Sequence, residues 1–509
     1  MTAAADLVLT NGEVHTLTDP DETYEAVAVR DGRIVRVDSD YEIDFLNGVE
    51  TREIDLDGRV LLPGFVDAHV HMETVGRHRL RADLRDATSP EDAVDILRDS
   101  DTGDDWILGF GFDESTWEAS RYLTRDDLDR VSTEKPVVAF REDLHTAALN
   151  GVALDRLRDP LPDGDVQTEG GDPTGVVVED AAEAVREAVE PGPAETADLL
   201  LAAQRDAHET GVTSVHDMVR RSHAPRVYRD LEAAGDLRLR VRLNYWSDHL
   251  DAARELGLRT NHGSEFVQTG AIKTFTDGSL GGRTAKLSAE YADGDGSGQW
   301  VVPPAELREV VRLADDAGFQ LAVHAIGDEA IEETIDALAD TDDPAGARHR
   351  IEHLELATDD HIERMADLGL VASMQPNFLK WSREGGLYDS RLGPERRSEN
   401  NRFPAYLAAG VPLAFSSDSM PIDPLFGVHQ TVNPPEDTQE LSVTEALRAY
   451  TSGAAYAGFD EHRLGTVEAG KEADFVVLEA SPWEHPDSIA DIDVAYTIVD
   501  GEVVYEAGA

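Results

Sequence analysis

Eight short apolar runs, separated by helix-like segments, fill the middle of this chain: "FVDAHVH", "VTSVHD", "RVRLNYW", "GAIKTF", "QLAVHA", "HRIEHLE", "LVASMQ" and "PLAFSSD". Strands that alternate with helices pair in parallel, and eight such units close on themselves. The pattern therefore predicts an α/β fold built on a (β/α)8 TIM-like barrel. The first two runs lie far apart, with roughly 140 residues between His71 and Thr213. A connection that long must contain an insertion, expected at about 75–205, with its own strand candidate "PVVAFR" and a Gly/Asp/Pro-rich loop at "DPLPDGDVQTEGGDPTG".

The two chain ends share a different grammar. Short alternating runs such as "DLVLTNGEVHTL", "EAVAVRDGRIVRVD" and "VAYTIVDGEVVYE" are broken by Asn-Gly and Asp-Gly pairs, which are hairpin signals. The expectation is one composite β-sandwich from residues 1–62 and 460–509, with the barrel at 63–459 inserted between its halves.

Composition narrows the chemistry. With no cysteine, a metal must be held by His, Asp, Glu or a modified Lys. The formal charge of −58, from 103 Asp and Glu against 45 Lys and Arg, repels nucleic acid and anionic lipid. The acidity is spread along the chain, as on proteins of extreme halophiles, and at molar salt the Debye length falls to about 3 Å. The amino terminus has no basic segment leading into a long apolar one, and no run approaches the roughly 20 apolar residues of a membrane span, so a cytoplasmic location is expected.

The ionisable residues sit at telling places. His69 and His71 are two apart on a strand and project to one face, where both can reach one ion at about 2.0 to 2.1 Å. His324, His353 and Asp418 each close a later apolar run, at the barrel end where active sites form. Lys273 is one of only five lysines and stands inside "GAIKTF", where a buried ammonium is costly. Burial favours the neutral amine, which can take up carbon dioxide to give an anionic carbamate ligand. The other reading of Lys273 is an ion pair with Asp277 or another carboxylate.

The segments "GFVDAHVH", "IKTFTDGSLGGRTA", "HAIGDEA", "RIEHLEL", "SMQPNF", "SSDSMP" and "LGTVEAGKEADFVVL" together resemble the amidohydrolase superfamily, in its YtcJ-like (amidohydrolase-3) branch. "WILGFGFDES" and "RDDLDRVSTEKPVVAFREDLHTAALN" extend the resemblance into the insertion. It implies a metal-dependent barrel with a composite sandwich, and His69, His71, Lys273, His324, His353 and Asp418 as ligands. The expected metal is Zn2+, as one ion or two, with two if Lys273 is carboxylated. The implied reaction is hydrolysis of a non-peptide C–N bond in a small linear or cyclic amide, by a metal-activated hydroxide with Asp418 as general base and acid. Homodimers occur among similar proteins, although no stretch here marks an interface.

Substrate contacts are read from position. Asp277, Gly278, Ser279 and Arg283 follow the lysine strand in a Gly-rich loop at the barrel mouth. Arg283 reads either as a bidentate carboxylate clamp or as a surface arginine. The resemblance turns His145 toward the site, against the alternative of a hydrogen-bonded core histidine. His216 ends the second run without a metal role and is kept as a pocket residue. Trp106 and Trp117 read as an aromatic wall or as core. The same metal barrel can also support deamination, lactone hydrolysis or isomerisation, or persist in a silent binding or regulatory protein.

Overall fold

In the computed structural model, which describes residues 4–101, 105–141, 145–159 and 161–508, the eight apolar runs become eight strands. They are Phe65–Val70 (β1), Val212–Val219 (β2), Arg240–Trp246 (β3), Val267–Phe275 (β4), Leu321–Ala325 (β5), Arg350–His353 (β6), Val371–Met374 (β7) and Leu413–Phe415 (β8). All pair in parallel and in sequence order, forming the nearly closed barrel that the spacing predicts. Most of these strands are buried on both faces, which is why they read as continuous apolar runs rather than as alternating ones. The seam between β1 and β8 is stitched by Asp418 N–H to His69 O (2.9 Å) and Ser417 N–H to Asp67 Oδ1 (3.1 Å).

The surrounding helices carry their own stop and start signals. Asp359–Leu368 begins after Thr358, whose hydroxyl accepts the His361 N–H, and ends at Gly369 with φ 65°, a conformation glycine adopts without a Cβ penalty. Its buried face presents Ile362 and Met365.

Both chain ends contribute to one six-stranded sheet, in the order Glu502–Glu506, Val494–Val499, Phe475–Leu478, Val60–Pro63, Glu13–His15 and Thr23–Tyr24. A four-stranded sheet of Arg33–Asp38, Ala26–Arg30, Leu7–Thr10 and Arg52–Asp55 shares a single apolar cluster with it, including Leu9, Val27, Leu61, Phe475 and Ile498. The Gly-containing turns divide into two kinds. Asp31-Gly32 and Asp500-Gly501 have φ of 52°/71° and 55°/75° and join antiparallel neighbours, as hairpins require. Asn11-Gly12 and Asp57-Gly58 are not hairpins. Each carries the chain from the four-stranded sheet into the six-stranded one, because the flanking strands pair with different partners. Arg240 of β3, 2% exposed, donates to both oxygens of Asp474 (2.7 and 3.0 Å) and anchors the barrel to this sheet.

Residues 73–203 form a second compact unit. Its mixed six-stranded sheet contains Val137–Arg141, the strand expected from "PVVAFR". Trp117 is core here: it is 3% exposed, and its indole N–H donates to Ala87 O at 2.7 Å. Trp106 packs at the edge of a second apolar cluster, with the Arg156 guanidinium 4.7 Å above its ring. Among the described residues no helix is long and apolar enough to cross a membrane.

Candidate metal centre

β1 delivers the first candidate ligands. His69 is 1% exposed and His71 has a side chain 33% exposed, so the strand runs from the interior to the barrel mouth. Asp418 follows β8 with φ 51°, a left-handed conformation that costs a non-glycine residue about 1–3 kcal/mol and recurs at functional sites. Its Oδ1 lies 3.7 Å from His69 Nε2 and 3.3 Å from His71 Nε2. One ligand atom from each of these three residues falls within a common 4.8 Å, so they could share an ion. His324 and His353 form an adjoining pair with ring centroids 4.4 Å apart, and His353 lies 5.1 Å from the His69 ring.

Each of the four imidazoles has one nitrogen committed. His69 Nδ1–H donates to Glu352 Oε2 (2.7 Å), and His71 Nδ1–H to Met218 O (3.3 Å). His324 Nε2–H donates to Gly278 O (2.9 Å). His353 Nδ1–H donates to Gln375 Oε1 (2.7 Å), whose amide is oriented by its own bond to Ser416 Oγ (2.9 Å). Carbonyls and an ionised carboxylate only accept, so the His69, His324 and His353 rings are each fixed as the tautomer whose other nitrogen keeps a lone pair, while His71 Nε2 faces Asp418 Oδ1 at 3.3 Å. This is how metal-binding histidines are oriented.

Electrostatics point the same way. Burial and the nearby Lys273 push His69 down to about 4 and His324 down to about 3; His353 lies well below the ordinary histidine value through burial and its histidine neighbours. All three are thus neutral donors. Burial opposes charge on Asp418, yet His69 and His71 beside it hold its carboxyl below the usual range. Burial likewise opposes a cation on His71, but Asp418 outweighs it and raises the imidazole.

Lys273 is 1% exposed, and among the described residues its Nζ has no hydrogen-bond partner, so the ion pair with Asp277 is not formed. Burial lowers it to about 8, within reach of the neutral amine. Trp246 is its register partner on β3.

The remaining sequence candidates are employed otherwise. Asp277, fully buried, accepts from Ile326 N–H (3.0 Å), Gly327 N–H (2.9 Å) and Lys286 N–H (2.7 Å), which ties the loop after β4 to the loop after β5. It braces the site instead of lining a pocket. Arg283 sends Nε and Nη2 to the two oxygens of Asp293 (3.0 and 2.9 Å), so its fork is already filled. Ser279 is exposed and accepts from Gly282 N–H within its own turn. His216 is 1% exposed, and its Nδ1 accepts from Arg350 Nη1 at 2.9 Å, which makes it part of the barrel interior. His145 belongs to the 73–203 unit, where its side chain is 70% exposed and bonds Glu179 (3.2 Å).

Sequence reasoning missed Glu352, Arg350 and Gln375. Glu352 and Arg350 are fully buried and bonded to each other, and Arg350 also donates to Ala68 O. The signal that singled out Lys273, a charge inside an apolar run, was equally present in "HRIEHLE".

Comparison with known proteins identifies the family and the fold. Residues 52–505 match the model of the amidohydrolase family. YtcJ of Bacillus subtilis (strain 168), named as an amidohydrolase, is 30% identical over 97% of this chain and 98% of its own. The N-substituted formamide deformylase of Arthrobacter pascens is 27% identical over 99% of both. Among solved structures, an uncharacterised metal-dependent hydrolase from Pyrococcus furiosus superposes with a TM-score of 0.82 at 30% identity, covering 94% of this chain and 99% of the other.

Proposed function

Because the chain belongs to the amidohydrolase family and one of its relatives is named an N-substituted formamide deformylase, we propose that it hydrolyses a small-molecule amide, linear or cyclic, at the His69/His71/Asp418 centre. The donor set fits a divalent cation. It comprises three neutral imidazoles with one free nitrogen each (His69, His324 and His353), His71 beside the ionised carboxylate of Asp418, and a buried amine with no hydrogen-bond partner among the described residues. His69, His71 and Asp418 would hold one ion. His324 and His353, with a carboxylated Lys273, would hold a second. Zn2+ suits imidazole and oxygen donors in the absence of thiolates.

The observation that carries the reading is the Lys273 amine. A buried nitrogen with no hydrogen-bond partner among the described residues, set over the Phe275 ring at 5.1 Å, costs free energy, so a fold that keeps one has a use for it. Adding carbon dioxide forms an N–C bond, releases one proton and leaves an anionic carbamate.

When bound, the ion supplies Lewis-acid polarisation of the carbonyl and acidifies water from pKa 15.7 to about 7. The chain supplies proton transfer and placement. Asp418, kept ionised, accepts the proton of the attacking water and delivers it to the leaving nitrogen as the C–N bond breaks. Glu352 and Gln375 hold the His69 and His353 rings against rotation, and Ser419 Oγ accepts from His71 N–H (2.9 Å) to fix the end of β1.

The test is metal analysis of protein purified in molar salt, followed by an amide panel on wild type and Asp418→Asn. Stoichiometric metal in both, with kcat about 10²–10⁴-fold lower in the variant, is expected. Unchanged kcat removes Asp418 from its role, and metal-free protein that takes up none removes the hydrolase reading.

A further inference from the structure

The two histidines at the ends of β5 and β6 are flanked by rings on both sides. On one side the Phe275 ring stacks on His324 at 4.6 Å and 29°, and Trp246 stacks on Phe275 at 4.5 Å and 30°. On the other, Phe378 lies parallel to His353 at 6.0 Å and 5°, and Trp381 follows at 5.0 Å. The order along the rim is thus Trp246, Phe275, His324, His353, Phe378, Trp381. Trp246 and Phe275 are the last residues of β3 and β4, and Phe378 and Trp381 belong to the turn of helix just after β7, so all lie at the carboxyl end of the barrel. Trp246, Phe275 and Trp381 are partly exposed. Aromatic rings therefore stand on both sides of the His324 and His353 pair.

Four of the basic side chains near this rim are already engaged. Arg220 pairs with Asp248 (2.9 Å) and lies 4.4 Å over Trp246. Arg283 and Arg391 both pair with Asp293. Lys380 donates to Met420 O (3.1 Å) and sits 4.6 Å over Trp381. These cations polarise the aromatic wall and leave no open fork among them for a carboxylate. Recognition of an N-acyl amino acid or another anionic amide would need one, and the net charge of −58 opposes the approach of such a substrate. One donor does remain: the Trp246 indole N–H is buried and has no partner among the described residues.

Resting on the amide-hydrolase reading above, we propose that the substrate is an uncharged amide with a planar, aromatic group beside the scissile bond, gripped between the Trp246/Phe275 and Phe378/Trp381 pairs. Offset ring stacking, which aliphatic groups cannot match, then sets specificity.

The experiment compares metal-replete wild type, Phe378→Leu and Trp381→Leu on three matched amides: benzamide, cyclohexanecarboxamide and 4-carboxybenzamide. Saturation-transfer NMR reports ligand binding separately from turnover, and metal content and melting temperature verify that the variants are folded and loaded. The expected wild-type order of kcat/KM is benzamide first, the cyclohexyl amide roughly tenfold lower, and the carboxylate analogue lowest. Each variant lowers the benzamide-to-cyclohexyl ratio about three- to tenfold and weakens benzamide saturation transfer. Equal turnover of ring types, a ratio the variants leave unmoved, or preference for the carboxylate analogue overturns the aromatic grip while leaving the hydrolase reading standing. If metal-replete protein cleaves no amide, both fall together.

Discussion

Arg350 is the most informative residue to remove. It is fully buried, it donates to Glu352, to His216 Nδ1 (2.9 Å) and to Ala68 O, and Glu352 in turn holds His69 Nδ1 at 2.7 Å. Burial alone would raise the Glu352 carboxyl, but Arg350 first and His69 next hold it well below the usual range. Arg350→Met fills the volume and deletes the charge, leaving a desolvated carboxylate with His69 as its remaining support. Breaking a buried pair from one side costs about 3–5 kcal/mol, whereas replacing both partners by uncharged groups costs far less. The double variant Arg350→Met/Glu352→Gln is therefore expected to be more stable than Arg350→Met alone, with a coupling of about 2–3 kcal/mol in a double-mutant cycle read by chemical denaturation in molar KCl. Glu352→Gln also loosens the His69 ring and should weaken metal binding about 10–100-fold in a chelator competition. Additive stabilities, or metal affinity unmoved by Glu352→Gln, would show that this chain of charges does not support the centre.

Three further outcomes follow from other parts of the fold. His208 is 5% exposed and donates Nε2–H to Arg238 O (3.0 Å); burial lowers it to about 4. The unfolded chain then binds a proton near pH 6.5 that the folded one refuses, so stability falls by about 1.4 kcal/mol per unit as pH drops from 6.5 toward 4. His208→Gln should flatten denaturation midpoints across that window, and an unaltered slope rejects the assignment. A chain with 103 acidic against 45 basic side chains should melt at lower temperature in 0.1 M than in 3 M KCl, where repulsion is screened; equal melting temperatures would discard the halophilic reading. A Cβ at Gly453 would stand 2.1 Å from Leu413 O, so Gly453→Ala should cost about 1–3 kcal/mol as β8 is displaced, and a neutral result would mean that the strand end yields freely.

The barrel was legible because parallel strands buried on both faces leave unbroken apolar runs that turn signals separate. The partners of the ligands were less so, and backbone geometry explains why. Strict alternation along β6 puts Arg350 and Glu352 on one face and His353 on the other, but His353 has φ 75° and leaves the strand pattern at that point. Asp418 and Ser419, at 51° and 65°, depart from it in the same way after β8. Asp277 looked like a pocket residue because it opens a Gly-rich loop, and its three backbone donors come from positions that no periodicity connects. Arg283 finds Asp293 ten residues away in irregular chain, beyond any helical or strand spacing. The Asn-Gly and Asp-Gly corners show the same limit: a left-handed turn residue, Asn11 or Asp57, is legible locally, while the sheet that receives the next strand is decided by distant partners.

The first and last barrel strands meet near the end of β1, at His69, where β8 leads into Asp418 and the Asp418 N–H to His69 O bond joins them. Candidate donors from both sides of that boundary lie close together, so a cation held among them would work as a removable rivet across the cylinder wall. Extracting it would loosen the wall at its weakest line, and hydrogen exchange should quicken first in β1 and β8 when a chelator is added. Loading state and cylinder integrity would then be a single variable.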